Sequence, residues 1–370
     1  MRVIILKNNL KEVLGMVEKT AINNLNLPIL NNALIKAEGS TVNISTTNLE
    51  LAVSACAQGK IIEEGELTVP AATFCAIINN LNSERINLES KNNTLEIKTD
   101  NYEAVIQGLG SEEFPIIPSI GNKEEFLEIN SDILKEALNQ VTIATHVSEL
   151  RPEISGVAFD LQGNILKLVA TDSFRLAEKI ISKNNFNNKF QQGVKVIIPL
   201  RTAQEISKIL KSNVQVKIFI DANQILFETS EIKLISRLID GQFPDYDQII
   251  PKSFESEITL ERDELINAIK LTGLLTSQNN DVSIKLNENK KVVEIYSFNQ
   301  KFGKNHYYLP VKTSGAPAQI TFNWRFLLDS LKMLQGSDVV IGLNGDARPA
   351  LIKTPNDTTY FYILMPIKNS

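Results

Sequence analysis

A pattern that occurs three times along the 370 residues limits the possible folds of this chain more than any other property of its sequence. Similar amphipathic segments contain Leu10, Leu134 and Leu265, at offsets of 124 and 131 residues. Each segment follows a short apolar stretch that is typical of a β-strand. Matches that recur in the same order indicate repeated domains, each of which builds its own strands and helices.

A second helical pattern follows in each repeat. A strand-like run ends at Pro70, Pro199 or Asn323, residue types that are suited to the start of a helix. Apolar residues then recur at spacings of three and four, and alternating strands separated by turn residues fill the rest of each repeat. The sequence therefore predicts an α+β fold of three similar domains, each with two helices and several strands.

The domain boundaries follow from the points at which the pattern restarts. The restarts come after two apolar turns, residues 116–118 and 249–251. We therefore predict three domains, at residues 1–125, 126–253 and 254–370. A chain of this length is expected to form two to four domains at roughly 100 to 200 residues each.

The number of cysteines and the lengths of the apolar runs indicate in which cellular compartment the protein works. Cys56 and Cys75 are too few for a disulfide framework, and no Cys-x-x-Cys pair suggests a zinc site. No apolar run approaches the roughly 20 residues that a membrane-spanning helix needs. We therefore expect a cytoplasmic protein with no membrane partner.

Motifs for catalysis are missing from the sequence. Only His146 and His306 are available as histidine bases or ligands, and they lie in different repeats. Neither glycine-rich phosphate-binding motif occurs. An enzyme site made of Asp172, Arg175 and Asp245 is an alternative supported only by their polar character, and turn formation is the favoured interpretation of Asp172. We predict no catalytic residue, no metal and no cofactor.

Charge is unevenly distributed. The net charge is −5, and residues 1–125 contain 10 basic and 16 acidic residues. Residues Arg201, Lys208 and Lys211 nevertheless recur on one predicted helix at a spacing that aligns them. The stripe is either a surface for phosphates or an ordinary solvated helix face, and the sequence leaves both open.

Several short motifs, in order along the whole chain, carry a family resemblance. They are Leu27-Pro28-Ile29-Leu30, Thr47-Asn48-Leu49-Glu50, Arg151-Pro152, Ala170-Thr171-Asp172 with Arg175-Leu176-Ala177, Phe243-Pro244-Asp245-Tyr246, and Met365-Pro366. In these motifs the chain resembles the bacterial DNA polymerase III β subunit family, the sliding clamps.

The resemblance implies three repeated DNA-clamp domains, each with two helices and eight strands, that form half of a six-domain ring. Two chains would join head to tail as a homodimer and encircle duplex DNA without reading its sequence. The ring would confer processivity on the replicative polymerase. Its partners would be the polymerase subunit, the clamp loader, repair polymerases and mismatch-repair proteins. The acidic first repeat motivates an alternative, a clamp-fold protein-binding scaffold that does not encircle DNA.

The resemblance also implies three surfaces, for which the sequence offers candidate residues. The first is a pocket between the second and third domains for a short linear peptide motif, with candidates Ile154, Thr171, Arg175, Leu176, Pro244, Ile249, Asn323, Phe326, Ile363, Leu364, Met365 and Pro366. The second faces DNA, with candidates Lys135, Arg151, Arg201, Lys208, Lys211, Arg325 and Lys332. The third is the dimer interface, with candidates Ile106, Leu274 and Leu275.

Overall fold

Six α-helices form at the positions that the repeat predicts. The computed structural model describes residues 1–21, 24–286 and 291–368. In this part of the chain the helices are α1 (Lys7–Val17), α2 (Ala71–Asn80), α3 (Ser131–Thr142), α4 (Leu200–Ile209), α5 (Arg262–Thr272) and α6 (Trp324–Met333). The prediction of two helices in each repeat is confirmed.

The strands follow the alternating segments between the helices. In chain order they are β1 (Arg2–Leu6), β2 (Asn32–Glu38), β3 (Thr41–Thr47), β4 (Leu51–Glu63), β5 (Gly65–Pro70), β6 (Arg85–Lys91), β7 (Thr94–Lys98), β8 (Glu103–Gln107), β9 (Leu127–Asn130), β10 (Gly156–Gln162), β11 (Ile165–Thr171), β12 (Arg175–Ser182), β13 (Phe186–Asn188), β14 (Val194–Pro199), β15 (Gln215–Ile220), β16 (Gln224–Glu228), β17 (Ile232–Arg237), β18 (Ser256–Glu261), β19 (Asp281–Leu286), β20 (Val292–Asn299), β21 (Gly303–Pro310), β22 (Lys312–Gly315), β23 (Gln319–Asn323), β24 (Asp338–Leu343), β25 (Ala350–Lys353) and β26 (Tyr360–Leu364). The first repeat has the eight strands expected, and the other two each add a short strand, β13 and β22.

The chain divides into two compact units, and neither coincides with one repeat. The first unit comprises Met1–Ile133, Phe186–Gln191 and Glu205–Leu238, and the second comprises Leu134–Asn185, Gln192–Gln204 and Ile239–Ser370. The reason is strand pairing. β17 of the middle repeat pairs with β4 of the first, whereas β12 of the middle repeat pairs with β26 of the third.

The first unit is built on one antiparallel sheet. Its strands run in the order β13-β9-β15-β16-β17-β4-β1-β6-β7-β8, and β3, β2 and β5 continue from β4. One cluster of its core joins Ala52 of β4 to Phe219 and Ile235 of the middle repeat. Strand pairing and apolar packing together therefore join the first repeat to part of the second.

The second unit contains two sheets. Nine strands run in the order β14-β10-β11-β12-β26-β25-β24-β18-β22, and four run in the order β21-β20-β19-β23. A buried cluster that includes Ala158, Leu176, Phe243 and Ile363 lies along the β12–β26 pairing. This cluster underlies the residues that the sequence assigns to a peptide pocket.

Side-chain caps set the starts of the two helices in the third repeat. The Glu261 carboxylate accepts hydrogen bonds from the first backbone N–H groups of α5, and the Asn323 amide oxygen accepts one from the N–H of Arg325 at the start of α6. Asn323 was predicted to start a helix, and that prediction is confirmed. Among the residues that the structure describes, no helix is both long enough and apolar enough to cross a bilayer.

Candidate functional site

A tight turn between β11 and β12 organises the candidate site. The Asp172 Oδ1 atom accepts hydrogen bonds from the backbone N–H groups of Phe174 at 2.9 Å and Arg175 at 3.1 Å. The Thr171 hydroxyl donates to the Arg175 carbonyl at 2.7 Å. Ser173 at the tip has a φ of 76°, in the left-handed region that such turns require. Asp172 is thus engaged in forming the turn, which favours the turn interpretation over a catalytic one.

The turn points the Arg175 side chain into a cluster of partners. Its Nε donates to Asp172 Oδ2 at 2.9 Å, and its Nη1 donates to Asp329 Oδ2 on α6 at 3.0 Å. The guanidinium carbon lies 4.0 Å from the centre of the Phe326 ring. A planar cation held between two carboxylates and an aromatic face is a rigid element that fixes the turn against α6.

The Arg175 side chain stays positively charged in this position. Burial by itself lowers the pKa of the guanidinium, but the neighbouring Tyr362 phenol and the Asp172 carboxylate outweigh it, and the pKa lies above its ordinary value. Burial also raises the pKa of the Tyr362 phenol. The arginine therefore acts as a permanent cation beneath the turn.

A second contact holds the segment that follows β17. The Tyr246 hydroxyl donates to Glu178 Oε2 on β12 at 2.5 Å, and Glu178 is itself buried, 3.8 Å from the Lys167 ammonium. The Tyr246 ring meets the Phe243 ring edge to face, with their centres 6.2 Å apart. These contacts fix Pro244, which lies between the two aromatic residues, beside the nine-stranded sheet.

The predicted peptide-pocket residues divide into a buried layer and an accessible layer. The buried layer comprises Ile154, Thr171, Leu176, Ile363 and Leu364. The prediction that Ile154, Ile363 and Leu364 form walls of an open pocket therefore needs correction. Ile363 and Leu364 are consecutive on β26 and therefore point to opposite faces of the sheet, both of which are covered, whereas Ile154 is buried in the short 3-10 turn Pro152–Ile154 before β10.

The accessible layer contains the remaining predicted residues. Ile249 and Met365 are exposed apolar side chains, whereas Arg175, Pro244, Asn323, Phe326 and Pro366 are half-buried. The Met365 N–H donates to the carbonyl of Phe174 at 2.9 Å, which continues the β12–β26 pairing past the end of β26. Met365 therefore lies beside the β11–β12 turn, where Arg175 meets Phe326, and all seven residues of the accessible layer belong to the second unit.

Phe174 belongs to this surface and was not among the predicted site residues. Its side chain is exposed although it is a large aromatic group, and its carbonyl accepts the Met365 bond. The available signal was an aromatic residue inside the Asp-Ser-Phe-Arg turn. Asp329 was also missed as a site residue, because its contact with Arg175 spans 154 positions of sequence.

Several of the predicted DNA-facing side chains are engaged within the protein. Lys211 pairs with Glu12 at 2.8 Å and Glu231 at 2.5 Å, and Lys208 pairs with Glu205 at 3.0 Å. The bonds to Glu12 and Glu231 raise the pKa of Lys211 despite partial burial. Lys211 also lies beyond the end of α4 at Ile209, so the expectation that it shares this helix with Arg201 and Lys208 is wrong. The predicted stripe therefore carries less free charge than its sequence suggests.

The other predicted basic residues lie on α3, α4, α6 and the loop before β10. The Arg151 guanidinium donates to Ser173 Oγ at 2.8 Å and pairs with Glu153 at 3.1 Å, which places it beside the β11–β12 turn. Arg325 donates to the Asn280 side chain at 3.2 Å. The three remaining positions are Lys135 on α3, Arg201 on α4 and Lys332 on α6.

The predicted dimer residues differ in accessibility. Leu274 is 75% exposed and Leu275 is half-buried, but Ile106 is only 6% exposed. Ile106 occupies the inward face of β8, so its side chain packs within this chain, and its place at an interface stays a prediction. Its neighbour Val105 is the exposed apolar residue, because side chains alternate along a strand.

Comparison with protein families accounts for nearly the whole chain. The model of the N-terminal domain of the DNA polymerase III beta subunit matches residues 1–118. The central-domain model of the same subunit matches residues 128–245, and the C-terminal-domain model matches residues 247–368. The three matches occur in the order of the sequence repeats.

Individual relatives match this chain over their full length. The beta sliding clamp of Bacillus subtilis is 29% identical over 380 residues, with both chains fully covered. A solved sliding clamp from Bacillus subtilis superposes on the whole chain with a TM-score of 0.94 and 28% identity. A sliding clamp from Bartonella birtlesii, solved bound to griselimycin, gives a TM-score of 0.92 and 26% identity over the full length of both chains. Matches to all three domains in order show that this chain belongs to the DNA polymerase III beta subunit family, the bacterial sliding clamps.

Proposed function

We propose that this protein is a processivity clamp that encircles duplex DNA as a head-to-tail homodimer and holds a replicative polymerase on its template. The observation that carries the proposal is the ordered match of all three domains to the beta subunit family. The clamp acts by topology and has no catalytic step. The domain limits that we propose, at residues 125 and 253, lie in segments 114–126 and 250–255, which have neither helix nor strand in the described structure.

Two open sheet edges support head-to-tail assembly. β8 ends the sheet of the first unit, and β21 ends the four-stranded sheet of the second. An open edge presents unpaired N–H and C=O groups that can pair with another chain. Exposed apolar side chains accompany these edges, with Val105 on β8, Phe298 and Phe302 just before β21 in sequence, and Leu274 in a turn that contacts β21. Pairing β8 of one copy with β21 of the next would use both edges and close a ring of two chains.

The dimer can be tested by the mass of the protein in solution. Light scattering is expected to give about twice the chain mass of 41.2 kDa. Leu274→Asp should shift the mass toward one chain, because it adds a charge to an apolar contact. Phe174→Asp is the matched control, since it also adds a charge at an exposed apolar position but lies outside the proposed interface. An unchanged mass in the Leu274→Asp variant would contradict this placement.

Weak contact with DNA suits a protein that slides. Each phosphate neutralised by a basic side chain adds about 0.9 to the slope of log affinity against log salt. Ion pairs such as Lys211 with Glu12 and Glu231 hold part of the positive charge within the protein. A net charge of −5 is compatible with this role, because retention depends on the closed ring and not on tight binding.

Retention on circular and linear DNA tests the topological mechanism. Protein loaded onto nicked circular duplex should stay bound through gel filtration and should be lost once the circle is cut. The Leu274→Asp variant should be lost from both forms. Equal retention of the wild type on both forms would contradict encirclement and favour a scaffold that binds proteins without enclosing DNA.

We also propose that the surface around the β12–β26 pairing docks the short peptide motifs of partner proteins. Exposed Phe174, Ile249 and Met365 supply apolar contacts above a buried core, and the fixed charge of Arg175 lies beneath the turn. Binding sites of this kind bury a few apolar anchors and use a few polar groups for orientation. The partners in this proposal are the polymerase subunit, the clamp loader, repair polymerases and mismatch-repair proteins, in the cytoplasm.

Peptide binding gives a direct test. A fluorescein-labelled Gln-Leu-Ser-Leu-Phe peptide, of the Gln-Leu-x-Leu-Phe type that the resemblance to sliding clamps implies, should bind the wild type with saturable polarisation. Met365→Glu should weaken binding by about tenfold or more, because it places a charge among apolar contacts while changing only an exposed side chain. Unchanged affinity in a folded Met365→Glu variant would contradict this site.

A further inference from the structure

We infer that the β4–β17 junction of the first unit is a second docking site, which takes a short extended peptide segment with aliphatic side chains from a partner protein. The inference rests on the proposed peptide docking at the β12–β26 junction of the second unit. A cavity of about 340 Å³ opens at the β4–β17 junction, within the range of roughly 300–1,000 Å³ that is typical of ligand sites. Residues of the β3–β4 turn, of segment 115–118 and of β16 and β17 line it.

The turn at this junction has the same hydrogen bonds as the turn at the β12–β26 junction. Asn48 Oδ1 accepts from the backbone N–H groups of Glu50 at 3.0 Å and Leu51 at 2.8 Å, as Asp172 does two and three residues ahead in its own turn. The Thr47 hydroxyl donates to the Leu51 carbonyl at 3.2 Å. Leu49 at the tip has a φ of 74°, against 76° at Ser173. The two turns are therefore the same structure, 124 residues apart.

The strand pairing beneath each turn is also equivalent. Ala52 pairs with Ile235 in the first unit, and Leu176 pairs with Ile363 in the second. The Arg237 N–H donates to the Glu50 carbonyl at 2.9 Å, which corresponds to the Met365 bond to Phe174 at the same distance. The backbone that would hold a peptide is thus present twice.

Apolar side chains line the opening. Ile116 is 95% exposed and Leu49 is 48% exposed, and Pro115 occupies the place that Pro244 has in the second unit, after a buried phenylalanine in each case. Leucine rarely adopts a left-handed backbone, and here it does so with much of its side chain in water. Residues held in such sparsely populated backbone regions cluster at active sites and ligand sites.

The charged residues at the rim of the β4–β17 cavity differ from the equivalent residues at the β12–β26 junction, and this difference indicates which peptide side chains the cavity fits. Glu50 and Arg237 stand where the second unit has Phe174 and Met365, and they pair at 3.6 Å with both side chains exposed. Such a pair is weak and readily replaced by contacts with a ligand. Buried Leu51 stands where the second unit has the cation Arg175, so this position supplies no charge to the turn. The site therefore fits aliphatic side chains flanked by polar residues, such as the two leucines of a Gln-Leu-Ser-Leu-Phe peptide.

Full-length variants separate the two sites. The probe is the labelled Gln-Leu-Ser-Leu-Phe peptide, titrated by polarisation to millimolar protein. Met365→Glu, which disables the proposed site at β12–β26, should leave a weaker saturable phase. Adding Ile116→Glu should weaken that remaining phase by about tenfold or more, because a charge replaces an apolar contact. Leu25→Glu is the matched control, since Leu25 is 91% exposed in the same unit and lies outside the cavity lining.

The outcomes distinguish the inference from the function on which it rests. A residual phase that Ile116→Glu removes and Leu25→Glu retains supports a second site. Loss of all binding in Met365→Glu would overturn the second site and leave the proposed function intact. Binding that responds to Ile116→Glu and not to Met365→Glu would overturn the assignment of the β12–β26 surface and keep the site at β4–β17. Absence of peptide binding to the wild type would overturn both.

Discussion

Replacing Arg175 with leucine should destabilise the second unit, and a further change at Asp172 should restore most of the loss. The first repeat supplies the reason, because it has Asn48 and Leu51 at the corresponding positions and keeps the same turn. Arg175→Leu alone leaves Asp172 charged with its side chain only 9% exposed, whereas Asp329 is 40% exposed and can rehydrate.

The magnitude follows from these exposures. Removing one partner of a buried ion pair costs about 3–5 kcal/mol, and we expect about 3 kcal/mol because Asp329 regains water and Asp172 keeps its backbone bonds. In the double variant Asp172→Asn/Arg175→Leu no charge is left buried, and the amide oxygen can still accept the turn bonds, as Asn48 does. Its expected cost is about 1 kcal/mol, so the second change recovers about thirtyfold in the unfolding equilibrium.

Thermal unfolding measures both variants. For a cooperative unit of roughly 200 residues, each kcal/mol shifts Tm by about 2–4 °C, which predicts a loss of about 6–12 °C for Arg175→Leu and about 2–4 °C for the double variant. Asp172→Asn alone is the control for the lost carboxylate. A double variant no more stable than Arg175→Leu would refute the argument, because the cost would then lie in lost arginine contacts and not in a stranded charge.

Three further measurements test other groups. Burial and a nearby carboxylate hold the pKa of Tyr246 above its ordinary value of 10.0. The stabilising effect of the protonated phenol is therefore present below about pH 10 and is lost as the pH rises further. Above that pH the free energy of unfolding of Tyr246→Phe, measured from the urea midpoint, should fall less steeply with pH than that of the wild type, by the slope that corresponds to about one proton. Burial raises the pKa of Cys75 to about 12 and shifts Cys56 in the same direction, so a thiol reagent at pH 8 should modify Cys75 only after unfolding in urea; rapid labelling of Cys75 in the native protein would contradict its burial. Lys211 is paired with two carboxylates, whereas Lys332 is exposed. Lys332→Ala should reduce the slope of log DNA affinity against log salt by roughly 0.9, the value for one phosphate contact, and Lys211→Ala should reduce it by less. Equal reductions in the two variants would contradict that reasoning.

The sequence was sufficient for elements whose signal is local. The helices around Leu10, Leu134 and Leu265 could be predicted from the spacing of their apolar residues, because each helix buries one face and that face must be apolar. Turn formation by Asp172 is also local, because its backbone partners lie two and three residues ahead. Elements of this kind are set by periodicity and turn chemistry within a few positions of one another.

Contacts that join distant segments could not be found in this way. Ile106 was expected at an interface, but which face of β8 is buried depends on β7 and the sheet to which both belong. The Arg175–Asp329 pair spans two repeats. The division into two compact units depends in the same way on which strands of the middle repeat pair with β4 and β26, and no local pattern encodes that choice.

The two matching turns explain why an acid and a base occur together in one copy and are both missing from the other. The backbone bonds of the turn need only one side-chain oxygen, so Asn48 and Asp172 serve equally well there. A second oxygen with a full charge is tolerated under the turn only where a cation meets it, as Arg175 does. An arginine at position 175 without that carboxylate would have only Asp329 as an ion-pair partner there, and the Asp329 side chain is 40% exposed to solvent. Because either change alone leaves a poorly compensated charge, the pair is expected to change together, and the repeat that lacks it keeps a neutral, aliphatic junction.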